Sequence, residues 1–185
     1  MTVIVAVVSD DGEIIFGADS AATDDSGTLA LRADGKLFTK SGYTIGFCGS
    51  YRVGQLVKHE MHLPSPSYCM TYDEAERFMV REFVPRLRKL LSKNGCMNTS
   101  GVNKIEDSSS LLVGFDGYLF VIADDFQVEV THDDYAAIGS GAQIALGSLH
   151  ADKTAGHLSA YDAVQNALAA SERYCAHVRS PFYIV

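Results

Sequence analysis

Residues 2–23 read TVIVAVVSDDGEIIFGADSAAT, and this stretch decides the fold. Thr2 to Val8 is β-branched and apolar, Asp11-Gly12 is a turn pair, and Glu13 to Gly17 resumes the apolar run. Asp-Gly between two such runs is the strongest short-range hairpin signal. Chain ends are ordinarily loose and polar. This one enters an apolar strand at its second residue, so Thr2 reads as a residue held in place.

Working outward, the same device recurs. Ser41-Gly42 separates KLFTK from YTIGFCG, and Asp116-Gly117 separates LLVGF from YLFVIAD. Several of these strands are continuously apolar, which implies burial on both faces. Between the hairpins lie helical blocks. One runs from about Ser50 to His62, stopped by Pro64 and Pro66. The next opens with the capping-box spacing Thr71-Tyr-Asp-Glu74. Its apolar stripe of Met79, Val80, Phe83, Val84, Leu87, Leu90 and Leu91 carries an internal Pro85 that predicts a kink.

Residues 92–109 read as a polar loop, IGSGAQIALGSLHA as a strand end turning into a small-residue helix, and about Ser159 to Val178 as a last helix. Pro181 to Val185 reads as a terminal strand. The order is strands, two helices, strands, two helices. It predicts an α+β fold, a four-layer α/β/β/α sandwich in which two sheets face each other under helix pairs, formed by one domain over 1–185.

Composition narrows the function. The chain has 185 residues, 47% hydrophobic and 21% charged, ordinary for a globular protein. A net charge of −8 argues against a nucleic-acid footprint. The one basic cluster, Arg86-Leu-Arg-Lys89, sits on a helical pattern and reads as a solvated face. No apolar run is long enough to cross a bilayer, and no secretion signal is legible, so a cytoplasmic location is expected. Cys48, Cys69, Cys96 and Cys175 form no CxxC pair and read as free thiols. No cofactor is implied.

Five motifs fall in order: Thr2 on a first strand, GADSAAT after a hairpin, RADGKLF, GFCGS opening a helix, and AIGSG opening another. With these, nearly the whole chain resembles the proteasome β-type N-terminal nucleophile (Ntn) hydrolases, and in size the HslV-like bacterial threonine proteases. The resemblance implies a threonine peptidase that cleaves peptide bonds through an acyl-enzyme on Thr2. It also implies enclosure in a homo-oligomeric double ring fed with unfolded protein by an AAA+ ATPase.

The chemistry has its own logic. A threonine hydroxyl is a poor nucleophile until a base takes its proton. Removal of Met1 would free the Thr2 α-amine, whose intrinsic pKa of about 7.7–8.0 suits a general base near neutral pH. Nucleophile and base would then belong to one residue.

The resemblance gives Asp19 the orientation of a lysine and of the Thr2 amine; the plain alternative is that Asp19 caps the following turn. It gives Lys36 an electrostatic role at Thr2; alternatively Lys36 is a surface lysine after a turn. Gly49, at a helix N-terminus, offers a backbone N–H to an oxyanion, or serves only the strand-to-helix turn. Ser140 resembles a serine that bonds the Thr2 amine and relays its proton, and could equally be the N-cap of the next helix. The family's further polar residues after its last helix have no clear counterpart in RYCAHVRSPF.

Other candidates are weaker. His59 and His62 fall one residue short of the HExxH zinc spacing, with no third ligand. Asp124-Asp125 and Asp133-Asp134 flank a short strand and read as turn carboxylates. Cys175 reads as core on an apolar helix, since nothing nearby would lower its pKa. Two rival functions stay open, a small-molecule amidase on the same scaffold and a shell subunit without activity.

Overall fold

Strands β1 (Ile4–Val8) and β2 (Ile14–Ala18) pair antiparallel, with Ile4 opposite Ala18 and Val8 opposite Ile14. The computed structural model describes residues 2–23, 26–67, 69–98, 104–156 and 158–185, so Met1 and residues 99–103 of the expected loop lie outside the described residues. The first hairpin is the centre of a four-stranded sheet. Strand β10 (Tyr135–Ile138) lies beside β1, and β11 (Tyr183–Ile184) beside β2.

A second, five-stranded sheet follows the order β5 (Leu37–Lys40), β6 (Tyr43–Cys48), β7 (Ser110–Phe115), β8 (Tyr118–Ile122), β9 (Val128–Val130). Two short strands absent from the sequence reading, β3 (Ala21–Thr23) and β4 (Leu29–Leu31), form a separate ladder. Both have only three residues, and β4 is exposed throughout, so neither carries the apolar patterning that reveals a strand.

The two larger sheets face each other. Ile4, Ala6, Phe16 and Ala18 from the first meet Leu37, Leu112 and Leu119 from the second in one buried layer. A side chain at Gly46 would meet Ile4 Cγ2 at 2.4 Å, so β6 approaches β1 closely only because it carries glycine there. The alternate residues Val3 and Val5 pack outward against the helix pair α4 (Ala142–Ala155) and α5 (Ala160–Tyr174). Both faces of β1 are thus apolar, which is why its sequence does not alternate. Helices α1 (Tyr51–His59), α2 (Tyr72–Phe78) and α3 (Val84–Lys93) cover the outer face of the second sheet. The architecture is the four-layer sandwich.

Several boundaries differ from expectation. The helix expected over 50–62 ends at His59 and is capped by Glu60. The Pro85 kink is absorbed by a π-helical segment, Met79–Phe83, between α2 and α3. There the Val84 N–H reaches back to the Met79 carbonyl, and this wider turn seats Pro85 in the first turn of α3, where its missing N–H does least harm. The wide turn also shifts the helical phase, so Val80, expected in the apolar stripe, is 49% exposed. Part of the expected polar loop is ordered: Met97 bridges Ile105, and Cys96 and Ile105 are buried. The last helix ends at Tyr174, short of Val178. Among the described residues, no helix is long and apolar enough to cross a membrane.

Candidate active site

The register of the first hairpin sets the site. Beyond the Ile4–Ala18 pair, Asp19 donates its N–H to the Val3 carbonyl at 3.3 Å, while the Val3 N–H donates to Asp19 Oδ1 at 3.0 Å. Thr2, one residue further, is only 3% exposed. The same Oδ1 accepts from Lys36 Nζ at 2.7 Å, and both side chains of this pair are buried. Lys36 directly precedes β5 and is held by its carbonyl, which accepts from the Phe47 N–H at 3.0 Å. Burial lowers the Lys36 pKa, opposed by the attraction of Asp19. The surface-lysine alternative is thereby excluded.

Asp19 also serves its own turn. Oδ2 accepts from the Ala21 N–H at 3.0 Å and from the Arg179 N–H at 3.4 Å. One carboxylate therefore ties together the start of β1, the lysine before β5, the entry to β3 and the segment after α5. Its capping role and its place beside Thr2 are two uses of one group.

Ser140 closes the opposite side. The Thr2 N–H donates to Ser140 Oγ at 3.2 Å, and Ser140 Oγ donates to the Thr2 carbonyl at 3.2 Å. The Gly141 N–H donates to that carbonyl as well, at 3.2 Å. A Cβ at Gly139 would sit 2.4 Å from the Thr2 carbonyl oxygen, so the turn closes on Thr2 only with glycine there. The N-cap of α4 is Gly141, with no side-chain capping bond. Ser140 is thus not the cap; its hydroxyl is turned to Thr2.

Gly49 joins β6 to α1 at φ +89°, a left-handed conformation that favours glycine. The Ser50 side chain caps the helix, accepting from the Val53 N–H at 3.5 Å. The Ser50 N–H is already engaged by Ser109 Oγ at 2.9 Å. No described residue accepts from the Gly49 N–H. Gly46 backs onto Ile4, and Cys48 packs in the layer with Ile4, so β6 delivers this turn to the Thr2 end of β1. Thr2, Asp19, Lys36 and Ser140 are thus linked through hydrogen bonds, with Gly49 standing apart from that chain of bonds. Cys48, in the same neighbourhood, is buried, and burial raises its pKa, which makes it a poor nucleophile.

Two contributors were not legible in the sequence. Both come from RYCAHVRSPF, through the Arg179 backbone on Asp19 and through Cys175, whose Sγ donates to Ser140 Oγ at 3.8 Å. A backbone donor leaves no trace in residue type. Cys175 is not the core residue expected on a helix; it is the partly exposed cap after α5.

The weaker candidates lie elsewhere. His59 and His62 are exposed, and among the described residues no three His, Cys, Asp or Glu side chains gather as a metal site. Asp124 pairs with Lys104 at 3.0 Å, Asp125 accepts from the Gln127 N–H at 3.0 Å, and Asp134 pairs with Lys153. In the basic cluster, exposed Arg86 pairs with Glu82 at 2.6 Å and Arg88 lies over the Phe126 ring.

The fold is that of the HslV-like, proteasome-type structures. Solved structures of that type superpose on the whole chain. BPH from Thiobacillus denitrificans matches with TM-score 0.80 and 18% identity over 100% of this chain and 96% of its own. The eukaryotic HslV from Trypanosoma brucei matches with TM-score 0.72 and 18% identity, over 100% and 98%. Anbu, described as an ancestral β-subunit, from Yersinia bercovieri matches with TM-score 0.67 and 15% identity, over 100% and 80%. BPH was also solved in complex with epoxomicin, and that structure matches with TM-score 0.79. No family model and no curated protein sequence matches the chain.

Proposed function

We propose that this chain is a threonine-type peptidase subunit that cleaves peptide bonds through an acyl-enzyme on Thr2, active once Met1 is removed. The observation that carries the reading is the buried Lys36–Asp19 pair, whose carboxylate grips the Val3 N–H immediately after Thr2. A buried ion pair is weak evidence for stability, and removing one partner leaves an uncompensated charge. Its placement against the backbone of a buried threonine is what a preorganised nucleophile needs.

In the proposed mechanism, the freed Thr2 amine takes the proton of Thr2 Oγ. The oxygen attacks the scissile carbonyl carbon, forming the C–O bond of a tetrahedral intermediate. In this reading the Gly49 N–H donates to the resulting oxyanion. The amine, held by Ser140, passes its proton to the leaving nitrogen, and the C–N bond breaks to give the ester. Water, deprotonated by the same amine, then hydrolyses the ester and restores Thr2. Lys36 contributes positive charge beside this exchange and is not itself a proton carrier.

The test compares protein beginning at Thr2, protein retaining Met1, and Thr2→Ala. Only the first should hydrolyse peptides and be labelled by an epoxyketone. Retained Met1 turns the amine into an amide that accepts no proton, so trimming it in vitro should restore activity to the wild type and not to Thr2→Ala. Full-rate hydrolysis by protein with intact Met1 would exclude Thr2 as the nucleophile and its amine as the base.

The proposed subunit assembles into a homo-oligomeric double ring that takes unfolded protein from an AAA+ ATPase. Exposed apolar side chains on the outer helix layer, Leu146 and Tyr161 with Leu158 between their helices, support a subunit contact there. Light scattering that returns a monomer mass at micromolar concentration would instead favour the small-molecule amidase.

A further inference from the structure

The Ser140 hydroxyl has one proton and two lone pairs, and the structure accounts for all three. The proton goes to the Thr2 carbonyl, one lone pair takes the Thr2 N–H, and the other faces Cys175 Sγ at 3.8 Å. Cys175 is itself firmly placed. Its N–H donates to the Ser171 carbonyl at 2.8 Å, and its carbonyl accepts from the Val178 N–H at 3.2 Å and from Arg179 Nη1 at 3.4 Å. One turn earlier, the buried Ser171 hydroxyl lies 2.8 Å from the Ala167 carbonyl and 3.2 Å from the Gly141 carbonyl, sharing its one proton between its own helix and the turn. The end of α5 therefore grips the Gly139–Gly141 turn at two adjacent residues, once through the backbone and once through the hydroxyl nearest Thr2.

We propose that Cys175 is a positioning residue for the Thr2 site: its thiol donates to Ser140 and keeps that serine's proton directed at Thr2. With the S–H in place, the hydroxyl has a single arrangement that satisfies every partner. Without it, the rotor gains alternatives, and the bond between Ser140 and the Thr2 amine loses its fixed geometry. Cys175 touches no reacting atom, so it acts on the proton exchange and not on peptide binding. The inference rests on the reading of Thr2 as nucleophile and amine base.

The experiment measures kcat, KM, the pH profile of kcat/KM and Tm for wild type, Cys175→Ala, Cys175→Ser and Thr2→Ala, all with Met1 removed. Losing one neutral hydrogen bond should lower kcat about fivefold in Cys175→Ala, with KM and Tm unchanged. The limb of the pH profile that reports the Thr2 amine should be displaced in the same variant. Cys175→Ser, which keeps a donor, should recover most of kcat and the wild-type limb. A Cys175→Ala enzyme with wild-type kcat and a superimposable profile would overturn the proposal while leaving the Thr2 reading intact, provided Thr2→Ala is dead. Equal losses in the Ala and Ser variants with lowered Tm would also overturn it, making Cys175 a packing residue. Wild-type turnover in Thr2→Ala would overturn both readings.

Discussion

The two ends of β1 make different kinds of place. At the Val8 end, a cavity of 540 Å³ opens between the first turn and the helix pair, lined by Asp10, Asp134, Leu149, Asp152 and Lys153 among others. Its ion pair, Lys153–Asp134, is exposed, and one buried Asp152 oxygen has no described hydrogen-bond partner. At the Thr2 end, the Lys36–Asp19 pair is buried, and the side chains of Asp19, Lys36 and Ser140 are all hydrogen-bonded. The cavity lies at one end, and preorganised charge is concentrated at the other. Chemistry needs the second, because a dipole or charge already fixed in place requires no rearrangement when charge develops. A roomy, solvent-screened acidic cleft provides no such advantage.

The largest expected effect separates the two ends by substitution. Asp19→Asn and Lys36→Met should each raise the barrier to hydrolysis by about 2.7–4 kcal/mol. Since the pair is buried, each should also destabilise the fold by about 3–5 kcal/mol, because the remaining charge is left unpaired. The double variant should regain most of the stability and none of the activity. Asp152→Asn at the other end should leave turnover unchanged. Peptide hydrolysis with urea unfolding checks all four, and wild-type turnover in the double variant would dissolve the contrast.

A smaller effect sharpens the comparison through two left-handed glycines. Gly49→Ala would place a Cβ 2.5 Å from Ser109 Oγ at φ +89°, with backbone in the way, and should cost about 3 kcal/mol. Gly156, which caps α4 near the cavity at φ +68°, has open space around it. There the same substitution should cost only about 1 kcal/mol. Equal unfolding midpoints for the two variants would show that the β6–α1 turn is no more constrained than the cavity rim.

The smallest effect is a slope. Burial lowers the Lys36 pKa below its ordinary value near 10.5, so between the two values the unfolded chain binds more protons than the folded one. Stability must then rise with pH across that window. The unfolding free energy of wild type, measured relative to Lys36→Met, should climb as pH is raised toward 10.5. A flat or falling difference would mean that the attraction of Asp19 outweighs burial.

How much of this was legible in the sequence depends on the range of each determinant. The hairpins at Asp11-Gly12, Ser41-Gly42 and Asp116-Gly117 are local, encoded in turn residues and flanking apolar runs, and were readable directly. So was the layer arrangement, because strands without a polar face must be covered twice. The motifs around Thr2, Asp19, Lys36, Gly49 and Ser140 could be singled out by type and order, each with a plain alternative beside it. Their mutual placement could not, since it joins residues up to 138 apart in the chain.

Only the tertiary structure decided between those alternatives. Lys36 is buried because the two sheets close over it, and Ser140 turns to Thr2 because Gly141 leaves its hydroxyl free of capping. The π segment at Pro85 and the roles of Arg179 and Cys175 were likewise invisible: a widened helical turn, a backbone N–H and a weak thiol donor leave no pattern in residue spacing. Sequence determines what a residue is able to do through its own chemistry and its nearest neighbours. Which lone pair or N–H stands without a partner, and is therefore available to a substrate, is settled only when distant segments have met.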